Sequence, residues 1–396
     1  MAERLAFVAP RYAGDGAVGG AETLLKNLAI HAARMGYEVD FLTTCAQNHY
    51  TWENTLPPGA RETDGMTVRF FPVDPRDEGA FLRIQQQIDR GVAVPAADEA
   101  LWLRNGVHSS ALLAHLAANA DGYRAVLAGP YLFGLTVAAA TAHPEKTLLV
   151  PCLHDEPFAR LATIRAMFGA VAGCLFNSGA ERALAGELYG FPDARARTVG
   201  MGLDPFDADP RAFAARRGLD APYVLYCGRR EPLKGTPLIC DYMLTFRERT
   251  GRDVRVVFTG SGDIEAADAL RPAILDAGFV SEEEKHEAMA GAVAFIHPSV
   301  NESFGIVLLE SFLAGTPALV HAKSRVLVAQ CRAAQAGLWF RHYPDFEAEL
   351  LRLLDDPAAR AALGANGRRF VAREYAWPAI ERKLAGAIDA LLPRRP

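Results

Sequence analysis

The sequence predicts an α/β chain of two doubly wound domains, each a parallel sheet covered on both faces by helices. Three observations predict it. Short apolar stretches of strand length alternate with helical patterns along the whole chain, as expected of parallel strands buried on both sides. The series runs through twice, and 396 residues suit two domains better than one. Between the two series lies a polar seam at 203–222, punctuated by Asp204-Pro205, Asp209-Pro210 and Ala221-Pro222. Half of the residues are hydrophobic and 22% are charged, so sizeable cores can form.

In the first series, strands are expected at 5–9, 38–44, 67–72, 125–128, 147–153 and 173–177. Helices fall between them, among them 22–35, 106–119 and 157–168. The low-charge run 128–142 is too short to cross a membrane and reads as a core helix with a strand end. The first strand leads into a glycine-rich loop, residues 11–23, where backbone N–H groups and a helix start favour an anion. Gly14–Gly19 is a literal GxGxxG, the usual sign of a dinucleotide site. Four residues separate it from the strand, however, and Asp40 lies inside its strand, not at the end where a ribose ligand belongs. His154 closes the strand 147–153 and precedes a helix, a position suited to a ligand site. Asp155 and Glu156 beside it can equally be helix caps.

In the second series, 223–227, 255–259, 293–297 and 317–320 read as strands. Cys227-Gly228-Arg229-Arg230-Glu231-Pro232-Leu233-Lys234-Gly235 links the first of them to a helix. Arg229 can bind two phosphate oxygens and Lys234 supplies a compact charge, which suits a diphosphate; alone, the same charges are common on a solvated turn. Thr259-Gly260-Ser261-Gly262 follows the next strand. Asn301-Glu302-Ser303-Phe304-Gly305-Ile306-Val307-Leu308-Leu309-Glu310 follows the third. It sets two carboxylates eight residues apart across a loop and a helix start, so that amides can meet an anion while acids meet hydroxyls. All of these segments fall just past the carboxyl ends of parallel strands, where open α/β sheets bind ligands.

These residues resemble a known family, the retaining GT-B glycosyltransferases of glycosyltransferase family 4, over nearly the full length. Gly19-Gly20-Ala21-Glu22 resembles its GGxE loop, and Gly228-Arg229 with Lys234-Gly235 its GR…KG element. Glu302 and Glu310 resemble its E-x7-E motif, followed by Ala314-Gly315-Thr316-Pro317. Gly200-Met201-Gly202-Leu203-Asp204 is similar to the turn between domains, and Tyr375-Ala376-Trp377 to the crossover whose last helix returns to the first domain. The resemblance implies two Rossmann-like domains facing across a cleft: an acceptor domain, 1–203 completed by 378–396, and a donor domain, 204–377. It implies a catalytic set of His154, Arg229, Lys234 and Glu302. It implies donor contacts from Gly19, Gly20, Gly228, Gly260, Ser303, Phe304, Gly305, Ile306, Val307 and Glu310. In this scheme Glu310 holds the ribose hydroxyls, Arg229 and Lys234 neutralise the diphosphate, Glu302 orients the sugar, and His154 lies near the sugar and the acceptor. The expected reaction is a metal-free, front-face transfer from a UDP- or GDP-sugar to the hydroxyl of a glycan, lipid-linked intermediate or natural product.

Other classes are set against this. A net charge of -5 and the lack of a basic stripe exclude general nucleic-acid binding. Six scattered cysteines without a CxxC pair read as reduced, buried thiols. The apolar segment 5–10 lacks the length and flanks of a signal peptide, so a cytoplasmic protein is expected, with peripheral membrane contact left open. Asp207-Ala208-Asp209 is a DxD, but it follows no strand, and no cluster has zinc spacing, so no metal or other cofactor is expected. A Rossmann NAD(P)-dependent oxidoreductase built on Gly14–Gly19 and a non-catalytic nucleotide-sugar-binding protein are the competing readings.

Overall fold

The computed structural model describes residues 2–14 and 19–394. The chain divides into two compact units, one formed by Met1–Gly202 with Trp377–Pro396 and the other by Leu203–Ala376.

The first unit holds an eight-stranded sheet of β1 (Arg4–Val8), β2 (Glu38–Thr44), β3 (Gly59–Thr63), β4 (Met66–Phe71), β5 (Ala125–Ala128), β6 (Thr147–Leu149), β7 (Gly173–Phe176) and β8 (Ala196–Thr198). The strand order is β3-β4-β2-β1-β5-β6-β7-β8, so it reverses between β1 and β5. Leu5–Val8 of β1 and all of β5 and β7 are buried, which is why they read as unbroken apolar runs. Val8, Leu42 and Val126 pack with Leu112, Leu116 and Leu135 of the helices Ser110–Asn119 and Gly134–Ala142. Leu149, Cys174 and Phe176 pack with Ile164, Phe168 and Leu184. The expectation of a purely parallel sheet fails at one edge. β3 pairs antiparallel with β4 through the two-residue turn Asp64-Gly65, both with positive φ, the geometry that the twist of a hairpin favours. β6 is also shorter than expected, and the segment 150–156 runs on as a loop.

The helix Trp377–Leu391 completes this unit. The Trp377 ring stacks on His31 at 3.5 Å with 6° between the planes, and His31 Nδ1 lies 2.6 Å from Glu381 Oε1. Ile380, Leu384 and Ile388 are fully buried beneath it.

The second unit holds a six-stranded, all-parallel sheet of β9 (Tyr223–Cys227), β10 (Arg255–Thr259), β11 (Ile274–Gly278), β12 (Ala294–His297), β13 (Ala318–His321) and β14 (Gly337–Phe340). Its order, β11-β10-β9-β12-β13-β14, reverses between β9 and β12. Val224, Phe258, Ile296 and Leu319 form the core with Ile239, Met243 and Phe246 of the helix Thr236–Thr250 and with Phe346 and Leu350 of the helix Tyr343–Asp355. The outer strands β11 and β14 were not expected from the sequence. The Leu203 amide donates to the Tyr375 carbonyl at 2.8 Å, joining the two ends of the unit.

Candidate functional site

A doubly wound sheet opens a crevice where its strand order reverses, because the connections leave in opposite directions. In the second unit that point lies between β9 and β12, and the loops leaving both strands meet there. A Cβ on Gly235, in the loop after β9, would stand only 3.0 Å from Pro298 in the loop after β12. The loop after β10 joins them. Gly260, at φ +110°, lies so close to Gly228 that a Cβ would come within 2.2 Å of the Gly228 carbonyl oxygen. Only glycine permits both that backbone conformation and that approach. Arg230 pins the arrangement from beneath: it is buried, its Nε donates to the Gly262 carbonyl at 2.6 Å, and its Nη1 meets Asp276 at 2.9 Å. Of the two neighbouring arginines, Arg230 is therefore structural. Arg229 stays exposed, paired with Glu231 at 3.1 Å, and its carbonyl accepts from the Tyr226 hydroxyl at 2.7 Å.

Lys234 ends a short 3₁₀ turn, Pro232–Lys234, and its Nζ lies 2.8 Å from Glu302 Oε1. Glu302 is largely buried. Burial works against its ionisation, yet His297 and Lys234 hold its pKa down to about 2. His297 Nε2 stands 3.8 Å away at the end of β12. Burial, aided by Lys234, lowers the His297 pKa against the pull of the Glu302 carboxylate.

After Glu302 the chain turns through buried Phe304, and Gly305 caps the helix Ile306–Ala314 at φ +76°. A Cβ there would meet Leu327 at 2.6 Å. Ile306 and Val307 carry first-turn amides, which have no intrahelical acceptor. Gln330 fixes the turn by donating to the Phe304 carbonyl at 2.6 Å. One turn into the helix, Glu310 Oε1 lies 3.1 Å from Lys285 Nζ. Burial lifts the Glu310 carboxyl above its ordinary value despite that cation. For Lys285, burial would lower the pKa, but Glu310 and Glu282 outweigh it and raise it.

The structure gathers these groups around the last two residues of β9. Glu302, Glu231 and Arg229 are electrostatic neighbours of the Tyr226 phenol, while Glu310, Lys285 and Glu282 are those of the Cys227 thiol. Lys285 and His297 were missed by sequence reasoning. Lys285 sits in Glu282-Glu283-Glu284-Lys285-His286-Glu287, which reads as a solvated helix face.

In the first unit, Gly19 is the N-cap of the helix Gly20–Arg34, which opens without a side-chain cap. Glu22 of this loop is buried and accepts from Arg11 Nε at 3.0 Å. The Gly14–Gly19 fingerprint spans residues 15–18, which lie outside the described residues. Asp40 is committed within β2: it accepts from Arg4, from Arg69 at 3.1 Å and from the Tyr123 hydroxyl at 2.7 Å. His154 Nδ1 lies 3.7 Å from Glu156 Oε1, which accepts from the Tyr131 hydroxyl at 2.5 Å. Burial opposes ionisation of Glu156, but His154 and Tyr131 lower its pKa. Glu156 is thus partnered to His154 and Tyr131 and does not cap a helix, since the turn Pro157–Arg160 has no side-chain cap.

Asp207 and Asp209 are exposed, and Asp209 accepts from the Arg211 amide at 2.9 Å. Glu282, His286 and Glu310 bring ligand atoms within 4.8 Å of one another, but the Lys285 ammonium bridges the two carboxylates. No helix among the described residues is long and apolar enough to cross a membrane.

Residues 210–370 match the family model of glycosyl transferases group 1. A D-inositol 3-phosphate glycosyltransferase 1 of Catenulispora acidiphila is 28% identical, over 94% of this chain and 91% of the relative. A D-inositol 3-phosphate glycosyltransferase of Frankia alni is 29% identical, over 93% and 94%. Among solved structures, sucrose-phosphate synthase from Thermosynechococcus elongatus superposes with a TM-score of 0.73 at 18% identity, covering 97% of this chain and 98% of the other. Anabaena HepE in complex with UDP and glucose gives 0.70 at 15% identity, covering 98% and 100%. These structures share the two-domain α/β architecture known as GT-B.

Proposed function

We propose that this chain, a glycosyltransferase of the GT-B fold that uses nucleotide-sugar donors, transfers a hexosyl group to an acceptor hydroxyl with retained anomeric configuration and without a metal ion. The observation that carries the reading is the meeting of Lys234 and Glu302 at the β9/β12 crevice, 2.8 Å apart, with Arg229 exposed on the loop after β9. In the reaction the bond from the anomeric carbon to the β-phosphate oxygen breaks, and a bond to the acceptor oxygen forms on the same face. The acceptor proton passes to the departing phosphate. Negative charge develops on the diphosphate, and fixed cations and first-turn amides stabilise it without reorganising. Lys234 and Arg229 supply the cations; Ile306 and Val307 supply the amides. Glu302 stays ionised and orients sugar hydroxyls. Glu310, with one oxygen on Lys285, holds the ribose through the other. His154 serves the acceptor. The six cysteines are all free and buried, which supports a reducing, cytoplasmic setting.

The test is a thermal-shift panel together with turnover in EDTA. UDP or GDP should raise the melting temperature and NAD should not, with turnover undiminished by chelation. Strict dependence on Mn²⁺, or a shift with NAD alone, would refute the proposal.

A further inference from the structure

The first unit contains a cavity of about 380 Å³ whose wall is aromatic. Phe81, Trp102 and Phe158 form a near-parallel stack, with centroids 6.0 and 5.2 Å apart and planes within 18°. Trp52 and Phe133 meet edge to face at 5.4 Å on the wall as well. Several polar atoms along this wall are already engaged. The Trp102 indole donates to Gln85 Oε1 at 2.7 Å, and Glu156 accepts from Tyr131. Glu78 pairs with Arg76 at 3.3 Å. Arg76 Nη1 is buried with no hydrogen-bond partner among the described residues. The guanidinium lies over the Phe81 ring at 5.5 Å. Leu82 and Tyr50, both exposed, add apolar surface to the lining. Glu156 lines the cavity too, and its carboxylate stands 3.7 Å from His154.

A polyol phosphate entering here would lose its water against a wall that is mostly aromatic, a costly exchange for a molecule with a hydroxyl on nearly every carbon. A flat apolar ring would stack on the aromatic wall and lose little hydration. We propose that this cavity holds the acceptor, and that the acceptor is an apolar, ring-bearing alcohol or phenol with one hydrogen-bond-accepting oxygen for Arg76. The proposal rests on the transferase reading above and adds the class of acceptor. It separates this chain from relatives named for D-inositol 3-phosphate.

The experiment is titration calorimetry of the whole chain with 2-naphthol in the absence of any donor, with D-inositol 3-phosphate as competitor. 2-Naphthol should bind saturably at one site per chain. Leu82→Glu, at a half-exposed lining position, and Arg76→Met should each weaken it about tenfold, with melting curves showing both variants folded. D-inositol 3-phosphate in excess should not displace it. Displacement by the inositol phosphate, absence of saturable binding, or wild-type affinity in both variants would overturn the proposal. The melting shift with UDP or GDP, measured on the same preparation, reports the transferase reading separately. A failure of the acceptor class alone therefore leaves that shift intact.

Discussion

Replacing Lys234 with alanine removes the ammonium that stands 2.8 Å from the Glu302 carboxylate, and two consequences can be separated. The first is catalytic. A fixed charge facing a developing anion is worth ~2–4 kcal/mol of transition-state stabilisation, so turnover should fall by about 30- to 1,000-fold. The second concerns stability. Glu302 is held at about 2 against an ordinary 4.5, and at ~1.4 kcal/mol per unit that depression favours its charged form by roughly 3 kcal/mol. His297 and Lys234 supply this together, Lys234 through both its charge and its hydrogen bond. Because the folded-state pKa is depressed, the contribution is complete above about 4.5 and is lost as pH falls toward 2. Lys234→Ala should therefore lower the unfolding free energy by about 1–3 kcal/mol at neutral pH and move acid unfolding to higher pH. Adding Glu302→Gln removes the orphaned carboxylate, so the double variant should regain stability while remaining inactive. The assay is release of nucleoside diphosphate from a nucleotide sugar, run beside urea unfolding of each variant. Turnover of Lys234→Ala within about threefold of wild type, in a protein shown to be folded, would refute the reasoning.

Gly260→Ala would place a Cβ 2.2 Å from the Gly228 carbonyl at a φ of +110°. It should destabilise the chain by more than about 2 kcal/mol, seen as a melting shift, and abolish the response to UDP or GDP. Lys285→Met strands the buried Glu310 carboxyl. It should raise the donor KM by about tenfold with a smaller change in kcat, which steady-state kinetics would show. Glu181 is buried and accepts from the amides of Leu153 and Asn177 at 2.7 and 2.5 Å; burial, only partly offset by these amides, raises its pKa to about 7. A raised carboxyl contributes stability that is full below about 4.5 and lost as pH rises through 7, by up to ~3 kcal/mol. Urea unfolding between pH 5 and pH 8 should show that decline in the wild type and not in Glu181→Gln.

The parts of the fold legible in the sequence were those with one strong pattern. Buried parallel strands such as β1, β5 and β9 are unbroken apolar runs, and no surface helix imitates them. The glycine loops were legible because positive φ and close approach demand glycine, as at Gly260 and Gly305. The hairpin edge was not read, because Gly59–Thr63 is exposed and carries no apolar alternation; Asp64-Gly65 was its one local sign. Side-chain partnership across elements left no trace in the sequence. Arg229 and Arg230 are adjacent and identical in type, yet one is exposed and the other locks two loops together. Lys285 and Glu310 are separated by a strand and a loop, and only the fold reveals that they pair. The cavity beside Glu156 draws on five separate stretches of chain, so no motif could announce it.

The helix Trp377–Leu391 has a consequence for biogenesis. Its docking face, with His31 under the indole and Gly202 leaving no room for a side chain beneath it, is built from segments made long before. During synthesis from the N-terminus that apolar seat stays uncovered until residues 377–391 have left the ribosome, after the whole second unit. The nascent chain thus carries an open sticky groove throughout synthesis of the second unit. That interval is when chaperone capture would protect it and when a stalled or shortened product would aggregate.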